Sequence, residues 1–462
     1  MVKQIIFYFF VLICFLNNVV FAQDRKKTDA QDTLKAPELS WRQNGGWREK
    51  RKNERIKERE LRRERRQKRL LEKIELSKGD KNPVKNTKSF SNTLQVKYPA
   101  GIKKKRYRID VLASIYIDEI VKHNGFKNRS KIPDKALAGL SFYEGLTVAA
   151  DSLKKANYDL DIFIHDLGSL ADCPDSLILK RKLDSADLVI GAVPPQDLPG
   201  LTNYCKKLHV NFISSLSPSD GGVENNKWLT ILQPTLRTHC EFIKHHLKKQ
   251  FKKKPILLLY RNTTGADINA FNYLKADSTI KINFKSLLCN KLPVKKDIAH
   301  LLDTGTEQVV LMPVLDLLFS DSLLHLLSTQ FPKMHFNVYG MPAWTGLNLQ
   351  KRYVSFPNMT FNISSPFTYD SLGAAFVYVK DHYDEKFGTQ PNEMAYRGFE
   401  TLLWYGSLIE KYGTIFNEHY NDVSCAPFTK FKIRSRKDGN GKLMYLENVN
   451  IHWEQIESSG AN

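Results

Sequence analysis

Few of the residue types that break or make bonds stand at spacings that would let them do so. A Gly-x-Ser-x-Gly elbow, a His-Glu-x-x-His zinc motif and a Gly-x4-Gly-Lys-Ser/Thr phosphate loop do not occur in the chain. His239-Cys240 and His245-His246 share one expected helix, but five residues between His239 and His245 turn them to different sides of it, so the segment alone makes no metal site. Asp438-Gly-Asn-Gly441 opens like a calcium loop, yet Lys442 and Leu443 follow where a ligand and a glycine are needed; it reads as a hairpin turn. Cys173, Cys205, Cys240, Cys289 and Cys425 are an odd set without regular spacing, which is no disulfide framework. One bridge, such as Cys173 to Cys205, and buried free thiols are the two readings they allow. Asn262-Thr-Thr264, Asn358-Met-Thr360 and Asn362-Ile-Ser364 fit the glycosylation sequon, which matters only in a host that uses it. The expectation is a protein that is not an enzyme and carries no cofactor and no metal.

If the chemistry is recognition, its location depends on how charge and hydropathy are laid out. The first 22 residues are a short start with Lys3, an apolar run from Ile5 to Leu16, and the small-residue exit Val20-Phe21-Ala22, as in a signal peptide. The apolar run is short for a membrane span, and no later segment is apolar enough to be one. The chain is therefore expected to be exported, to the periplasm or cell envelope. Its formal net charge of +21 is uneven. Residues 1–108 hold 30 of the 70 Lys and Arg against 12 of the 49 Asp and Glu, so the rest is almost neutral. From Gln23 to Tyr107 there is little apolar periodicity. Trp41 to Lys73, with Arg48-Glu-Lys-Arg-Lys and Arg55-Ile-Lys-Glu-Arg-Glu-Leu-Arg-Arg-Glu-Arg-Arg, predicts a solvated helix laced by ion pairs. A Lys, Asn, Ser, Gly and Pro linker runs from Ser77 to Gly101. The tail reads either as a soluble spacer or as an attractor of polyanions, which outside the cytoplasm means acidic envelope polymers or an anionic membrane surface and no nucleic acid.

From Arg108 onward one pattern repeats: apolar run, polar loop, amphipathic run. Ile109-Asp-Val-Leu-Ala-Ser-Ile115, Asp161-Ile-Phe-Ile164, Asp187-Leu-Val-Ile-Gly-Ala-Val193 and Val210-Asn-Phe-Ile-Ser-Ser215 predict strands, with helices such as Ala136–Ala156 and Leu198–Leu208 between them. A second set starts near Trp228, with strands Ile256–Tyr260, Ile280–Leu288, Gln308–Pro313 and His335–Tyr339 and helices Leu236–Gln250, Ile268–Ala276, Val294–Asp303 and Leu317–Gln330. Helices Ser371–Phe387 and Asn392–Lys411 and a closing hairpin, Phe428–Arg436 with Met444–Trp453, complete the reading. The fold class is α/β, two lobes in succession, each with a parallel sheet covered by helices on both faces.

The order and wording of these segments resemble the type I periplasmic binding proteins, nearest the Leu/Ile/Val-type amino-acid receptors and their envelope-associated relatives in Bacteroidota. The residues that carry the resemblance are Ile109-Asp-Val-Leu-Ala, Leu140-Ser-Phe-Tyr-Glu-Gly145 with Ala149-Ala-Asp-Ser-Leu153, Val189-Ile-Gly191, Phe212-Ile-Ser-Ser-Leu-Ser-Pro218, Val309-Val-Leu-Met-Pro313, Val338-Tyr-Gly340 and Tyr396-Arg-Gly-Phe-Glu400. Some of those relatives carry a cell-wall-binding LysM module ahead of the fold; here the basic helix occupies its place. The resemblance implies a two-lobed binding domain over 108–457, lobe one being about 108–232 and 363–425 and lobe two about 233–362 and 426–457. It implies a small-molecule ligand between the lobes, outside the carboxyl ends of the strands. Carried over by position, Tyr116, Ser215 and Ser217 in lobe one and Tyr260, Asp316 and Trp344 in lobe two are the implied ligand contacts. Serine hydroxyls suit a carboxylate, and an aromatic wall with one carboxylate suits an ammonium group. The same residues also have ordinary structural readings: the serines as loop or cap residues, Tyr116 and Trp344 as packing residues, Asp316 as a helix N-cap. Ala192-Val-Pro-Pro195 departs from the family pattern, which places a hydroxyl there, and Leu315 and Leu317 flank Asp316 with apolar bulk. The alternative is a degenerate binding fold that works as a structural or regulatory envelope protein through contacts with a protein partner or the cell wall.

Overall fold

The structure, a computed structural model, describes residues 102–122, 125–126, 132–252, 254–276, 282–367, 373–420 and 427–457. The signal peptide, the basic helix and Cys425 lie outside these.

Elements follow one another as β1 (Tyr107–Ala113), α1 (Ile117–Ile120), the small ribbon β2 (Val121–Lys122) and β3 (Gly125–Phe126), α2 (Asp134–Lys155), β4 (Leu160–Asp166), α3 (Pro174–Leu179), β5 (Leu188–Ala192), α4 (Leu198–Leu208), β6 (Asn211–Ser214) and β7 (Leu229–Ile231). Next come α5 (Leu236–Phe251), β8 (Ile256–Tyr260), α6 (Gly265–Lys275), β9 (Phe284–Leu288), α7 (Lys295–Ala299), β10 (Glu307–Leu311), α8 (Leu317–Gln330), β11 (His335–Gly340), α9 (Leu349–Arg352) and β12 (Met359–Ser365). The chain ends with α10 (Ala374–Phe387), α11 (Glu393–Tyr412), β13 (Ile433–Lys437), β14 (Leu443–Asn448) and β15 (His452–Glu457). Two sheets result, in the orders β13-β14-β7-β6-β5-β1-β4 and β15-β12-β11-β10-β8-β9. Both are parallel except at one end, where β13 runs antiparallel to β14 and β15 antiparallel to β12.

Alternation along the central strands explains the layering. On β5, Leu188 and Ile190 join the core on one face of the first sheet while Val189 joins the core on the other. The first core takes Phe142, Leu146 and Leu153 of α2 with Leu402, Tyr405 and Ile409 of α11; the second takes Leu198, Leu201 and Cys205 of α4. The two helices of the first face lie unusually close. A Cβ on Gly145 would stand 1.8 Å from the Ala395 carbonyl oxygen, and one on Gly398 would stand 2.0 Å from that of Phe142. A separate core, built on Leu258, Val310, Leu311 and Val338, fills the second lobe.

Two expectations need correction. The closing hairpin, expected in lobe two, belongs to the first sheet: Leu446 and Glu447 pair with Thr230 and Ile231, and only β15 crosses to the second sheet. Residues 363–365, expected in lobe one, are the end of β12 in the second sheet, where Ile363 pairs with Gly340. The expected α/β class of two largely parallel sheets stands, each sheet carrying a single antiparallel pair at its edge. Among the described residues no helix is long and apolar enough to cross a membrane.

Candidate functional site

Chain direction decides which ends of the sheets meet. A helix that leads into a parallel strand runs antiparallel to it, so the N-terminus of α5 lies beside the carboxyl end of β8. β7 reaches α5 through only four residues, 232–235, which joins the carboxyl end of the first sheet to the carboxyl end of the second. β14, parallel to β7, passes through 449–451 into β15, whose His452 pairs with Ser365 at the carboxyl end of β12. The passage from β12 to α10 leaves from that same end. The loops after the parallel strands of both sheets therefore line one gap.

On the first-lobe side the loop after β1 is held by Asp166, the last residue of β4. Its Oδ1 accepts hydrogen bonds from the amides of Ile115, Tyr116 and Gly168, each at 2.9 Å, and its Oδ2 from that of Ile117 at 2.7 Å. Four amides converging on one carboxylate make a charge-assisted nest that this chain fills itself. Tyr116 adopts a left-handed backbone, φ 57°, at the start of α1; its half-buried ring carries the ammonium of Lys135 at 4.3 Å from the centroid. At the end of β6, Ser214 and Ser215 are 0% and 2% exposed, and neither hydroxyl has a hydrogen-bond partner among the described residues. The Ser215 amide donates to the Gly191 carbonyl at 2.9 Å, which fixes the loop against β5. Ser217 turns back on its own loop, its Oγ accepting the Ser219 amide at 3.3 Å.

In the second lobe Tyr260, the last residue of β8, stacks on Phe271 with ring centroids 4.0 Å apart. Asp316 caps α8 by accepting the Phe319 amide at 3.1 Å, and its other oxygen pairs with Arg261 Nη1 at 2.8 Å. That guanidinium bond, then the Phe319 amide, hold the Asp316 carboxyl below its ordinary range. Arg261 lies 4.2 Å above the Phe319 ring, and its Nε has no hydrogen-bond partner among the described residues. The fully buried Asp267 accepts the Leu315 amide at 2.9 Å on Oδ1, while its Oδ2, 3.9 Å from Arg261 Nη1, has no hydrogen bond among the described residues.

Of the six residues marked in the sequence, Tyr116 and Ser215 stand at strand ends of the first sheet and Tyr260 and Asp316 at neighbouring strand ends of the second. Ser217 lies on the same first-lobe loop, engaged in its turn. Trp344 is not brought with them. It is completely buried in the second-lobe core, with its indole N–H donated to the Val314 carbonyl at 2.8 Å. Its ring lies against Gly340 of β11, where a Cβ would stand 2.2 Å from the ring's Cε3. Asp316 is likewise an N-cap, and it is paired. Sequence reasoning missed Asp166, Arg261 and Asp267. Arg261 directly follows Tyr260 at a strand end, and that adjacency was a signal available in the chain.

The Ser214 and Ser215 hydroxyls have no base in hydrogen-bond reach, and among the described residues no group of three or more His, Cys, Asp or Glu is placed to hold a metal ion. His239 is buried and bonds Ser364 at 2.8 Å while His245 is exposed, so these two part as the helix spacing predicts; His246 accepts the Trp453 indole N–H at 3.0 Å. Cys205, Cys240 and Cys289 are buried free thiols and Cys173 a half-buried one, so the Cys173–Cys205 bridge is not formed. Burial pushes the Cys240 and Cys289 thiols up to about 12.

No family model matches the sequence, and no curated protein matches it. Solved structures do match. That of a putative branched-chain amino acid ABC transporter from Rhodospirillum rubrum superposes with a TM-score of 0.56 at 10% identity, over 77% of this chain and 98% of that one. An ABC transporter substrate-binding protein from Desulfitobacterium hafniense, in complex with Leu, gives 0.49 at 12% identity over 76% and 98%. The branched-chain amino acid transporter substrate-binding protein LivJ of Streptococcus pneumoniae, in complex with isoleucine, gives 0.42 at 13% over 76% and 100%. At such identities the likeness speaks for the fold: two α/β lobes arranged as in periplasmic binding proteins.

Proposed function

We propose, with that fold as premise, that this chain is an exported, non-enzymatic binding protein that takes a small molecule such as an amino acid between its lobes. The observation that carries the reading is the meeting of both sheets' carboxyl ends, with two buried serine hydroxyls there that no described residue satisfies. A buried hydroxyl without a partner costs on the order of 1–3 kcal/mol, which a bound ligand group would restore. Ser214 and Ser215 suit a carboxylate or carbonyl. Across the gap, Asp267 and Asp316 against the single Arg261 leave one negative charge in excess, which favours an ammonium. Tyr116 and Tyr260 supply apolar walls. The signal-like start supports an envelope location, and the basic tail supports attachment there to an acidic polymer or anionic lipid.

Isothermal titration of the full chain against amino acids and small metabolites tests this. A saturable heat is expected, weakened about tenfold or more in Ser215→Ala if the hydroxyl serves a charged group. No heat from any compound, with an unchanged melting temperature in their presence, overturns the ligand reading.

A second reading has its own support. Asp166 already fills the amide nest of the first lobe and Arg261 already pairs with Asp316, so part of the recognition surface is spent internally. That favours a binding fold retained for contacts with an envelope protein or the cell wall, and it is the reading left standing if titration fails.

A further inference from the structure

The body is close to neutral in total, but its cations are not spread evenly. α2 and α4 each lead into a parallel strand of the first sheet, so both end beside the amino ends of the strands, away from the gap. They lie on opposite faces of that sheet, since α2 packs in the core with Ile109 and Ile190 and α4 in the core with Leu112 and Val189. α2 ends in Lys154 and Lys155 and α4 in Lys206 and Lys207. Between them the chain enters β1 through Lys103-Lys-Lys-Arg106. The acids that border this end are already paired: Asp187 with Lys104, Asp159 and Asp161 with Arg106, and Asp184 with Arg181. Glu410 and Lys411 in the last turn of α11 offset each other. Lys103, Lys105, Lys154, Lys155, Lys206 and Lys207 remain, and among the described residues none has a carboxylate in ion-pair reach. Ile102, 63% exposed, stands beside them.

Part of this follows from helix dipoles, which favour lysine in a last turn. The dipole does not account for Lys103 and Lys105, which lie on no helix, nor for a six-lysine surplus gathered at the end where the strongly basic tail joins the body. We infer that this amino-terminal end face of the first lobe is a docking surface for an anionic phospholipid bilayer. The geometry favours a plane over a polymer strand. Helix, sheet and helix stack with layer spacings of roughly 10 Å, so the two lysine rows are on the order of 20 Å apart. That exceeds the Debye length of about 8 Å in physiological salt, and a single thin polyanion cannot neutralise both rows at once, whereas a flat surface can. An exposed isoleucine among the lysines suits the headgroup boundary. The inference shares the extracytoplasmic setting with the proposed function but does not depend on a ligand.

Co-sedimentation of the full chain, tail intact, with phosphatidylcholine vesicles with and without phosphatidylglycerol tests it across a salt series. Native protein should bind only the anionic vesicles, and less as salt rises. Lys154→Gln, Lys155→Gln and Lys207→Gln combined should lower the partition coefficient about tenfold or more, given roughly fivefold per lysine near such a surface. Lys291→Gln, Lys296→Gln and Lys351→Gln, the same charge change at exposed positions of the second lobe, should leave it unchanged. Undiminished binding of the first triple variant overturns the inference while leaving the tail's attraction intact. An equal loss in both triples also overturns it, since net charge alone then decides. A loss only on soluble polyphosphate, with vesicle binding unchanged, assigns the face to a polymer and overturns it too. If the native chain binds neither vesicle, the tail's attraction to lipid falls with it.

Discussion

His239 shows how a residue that looks reactive in sequence becomes a stability determinant in the fold. It sits on α5, 1% exposed, with Nδ1 at 2.8 Å from the Ser364 hydroxyl and Nε2 without a partner among the described residues. Burial pushes its pKa down to about 3. In the unfolded chain it titrates near 6.5, so between these values the unfolded state binds a proton that the folded state refuses. Its contribution is therefore complete above about pH 6.5 and is lost as pH falls toward the folded value, by roughly 1.4 kcal/mol per unit. Urea midpoints of the native chain and of His239→Gln, taken at pH 7 and pH 5, should show the native chain losing about 2 kcal/mol more than the variant over that span. Parallel losses would mean that other groups govern the acid limb.

At the scale of elements, the tight crossing of α2 and α11 rests on Gly145 and Gly398. Alanine at Gly398 would press a methyl onto the Phe142 carbonyl, and because that obstacle is backbone it cannot swing aside. Gly398→Ala should destabilise by about 1–3 kcal/mol, read as a lower urea midpoint. The melting of Gly200→Ala, which has only Ile178 Cδ1 at 3.9 Å nearby, should barely change. An equal drop in both would remove the crossing argument, since the backbone-entropy term of glycine to alanine in a helix is stabilising. Both crossing glycines lie inside stretches that stood out in the sequence, Leu140-Ser-Phe-Tyr-Glu-Gly145 and Tyr396-Arg-Gly-Phe-Glu400, so those stretches were recognisable because two helices must touch there. Strands with continuous apolar runs, such as Leu188-Val-Ile and Ile256-Leu-Leu-Leu, were equally legible. β12 was not. Met359-Thr-Phe-Asn-Ile-Ser-Ser365 reads as polar loop because Asn362 and Ser364 find partners only in the folded chain, the side chain of Asn337 at 2.5 Å and His239 at 2.8 Å. The ends of the gap follow the same division. Tyr260 and Ser215 were named by carrying the family pattern onto the loops after strands, while the Asp166 nest needs amides 49–51 residues away in sequence, which no local pattern reports.

For the whole molecule the question is what ties the lobes together, and the hairpin the sequence misassigned turns out to matter most. Arg436 on β13 belongs to the first sheet, yet its Nη1 lies 2.8 Å from Glu241 and its Nη2 2.5 Å from the Thr238 hydroxyl, both on α5 of the second lobe. Its Nε meets Glu447 of β14 at 2.6 Å, and the fully buried Glu447 also accepts the Thr235 amide at 2.6 Å and the Thr238 hydroxyl at 2.7 Å. Arg397 works beside it, donating to Gln233 at 2.7 Å and covering the Phe367 ring at 3.8 Å, so two of the three passages between lobes share one arginine. A charge cluster this buried is weak as a source of net stability but costly to leave half-made, about 3–5 kcal/mol when one partner is removed. Arg436→Met should therefore lower the urea midpoint strongly. Because Arg436 bridges the lobes, it should also broaden the distribution of distances between spin labels placed at the exposed Leu179 and Val354, one in each lobe. Glu447→Gln made in the same chain should return much of the stability, by removing the stranded charge, without narrowing the distance distribution. If instead Arg436→Met lowers stability and the distances stay as sharp as in the native chain, the cluster serves only the edge of the first sheet, and the lobes are held in register by the passages themselves.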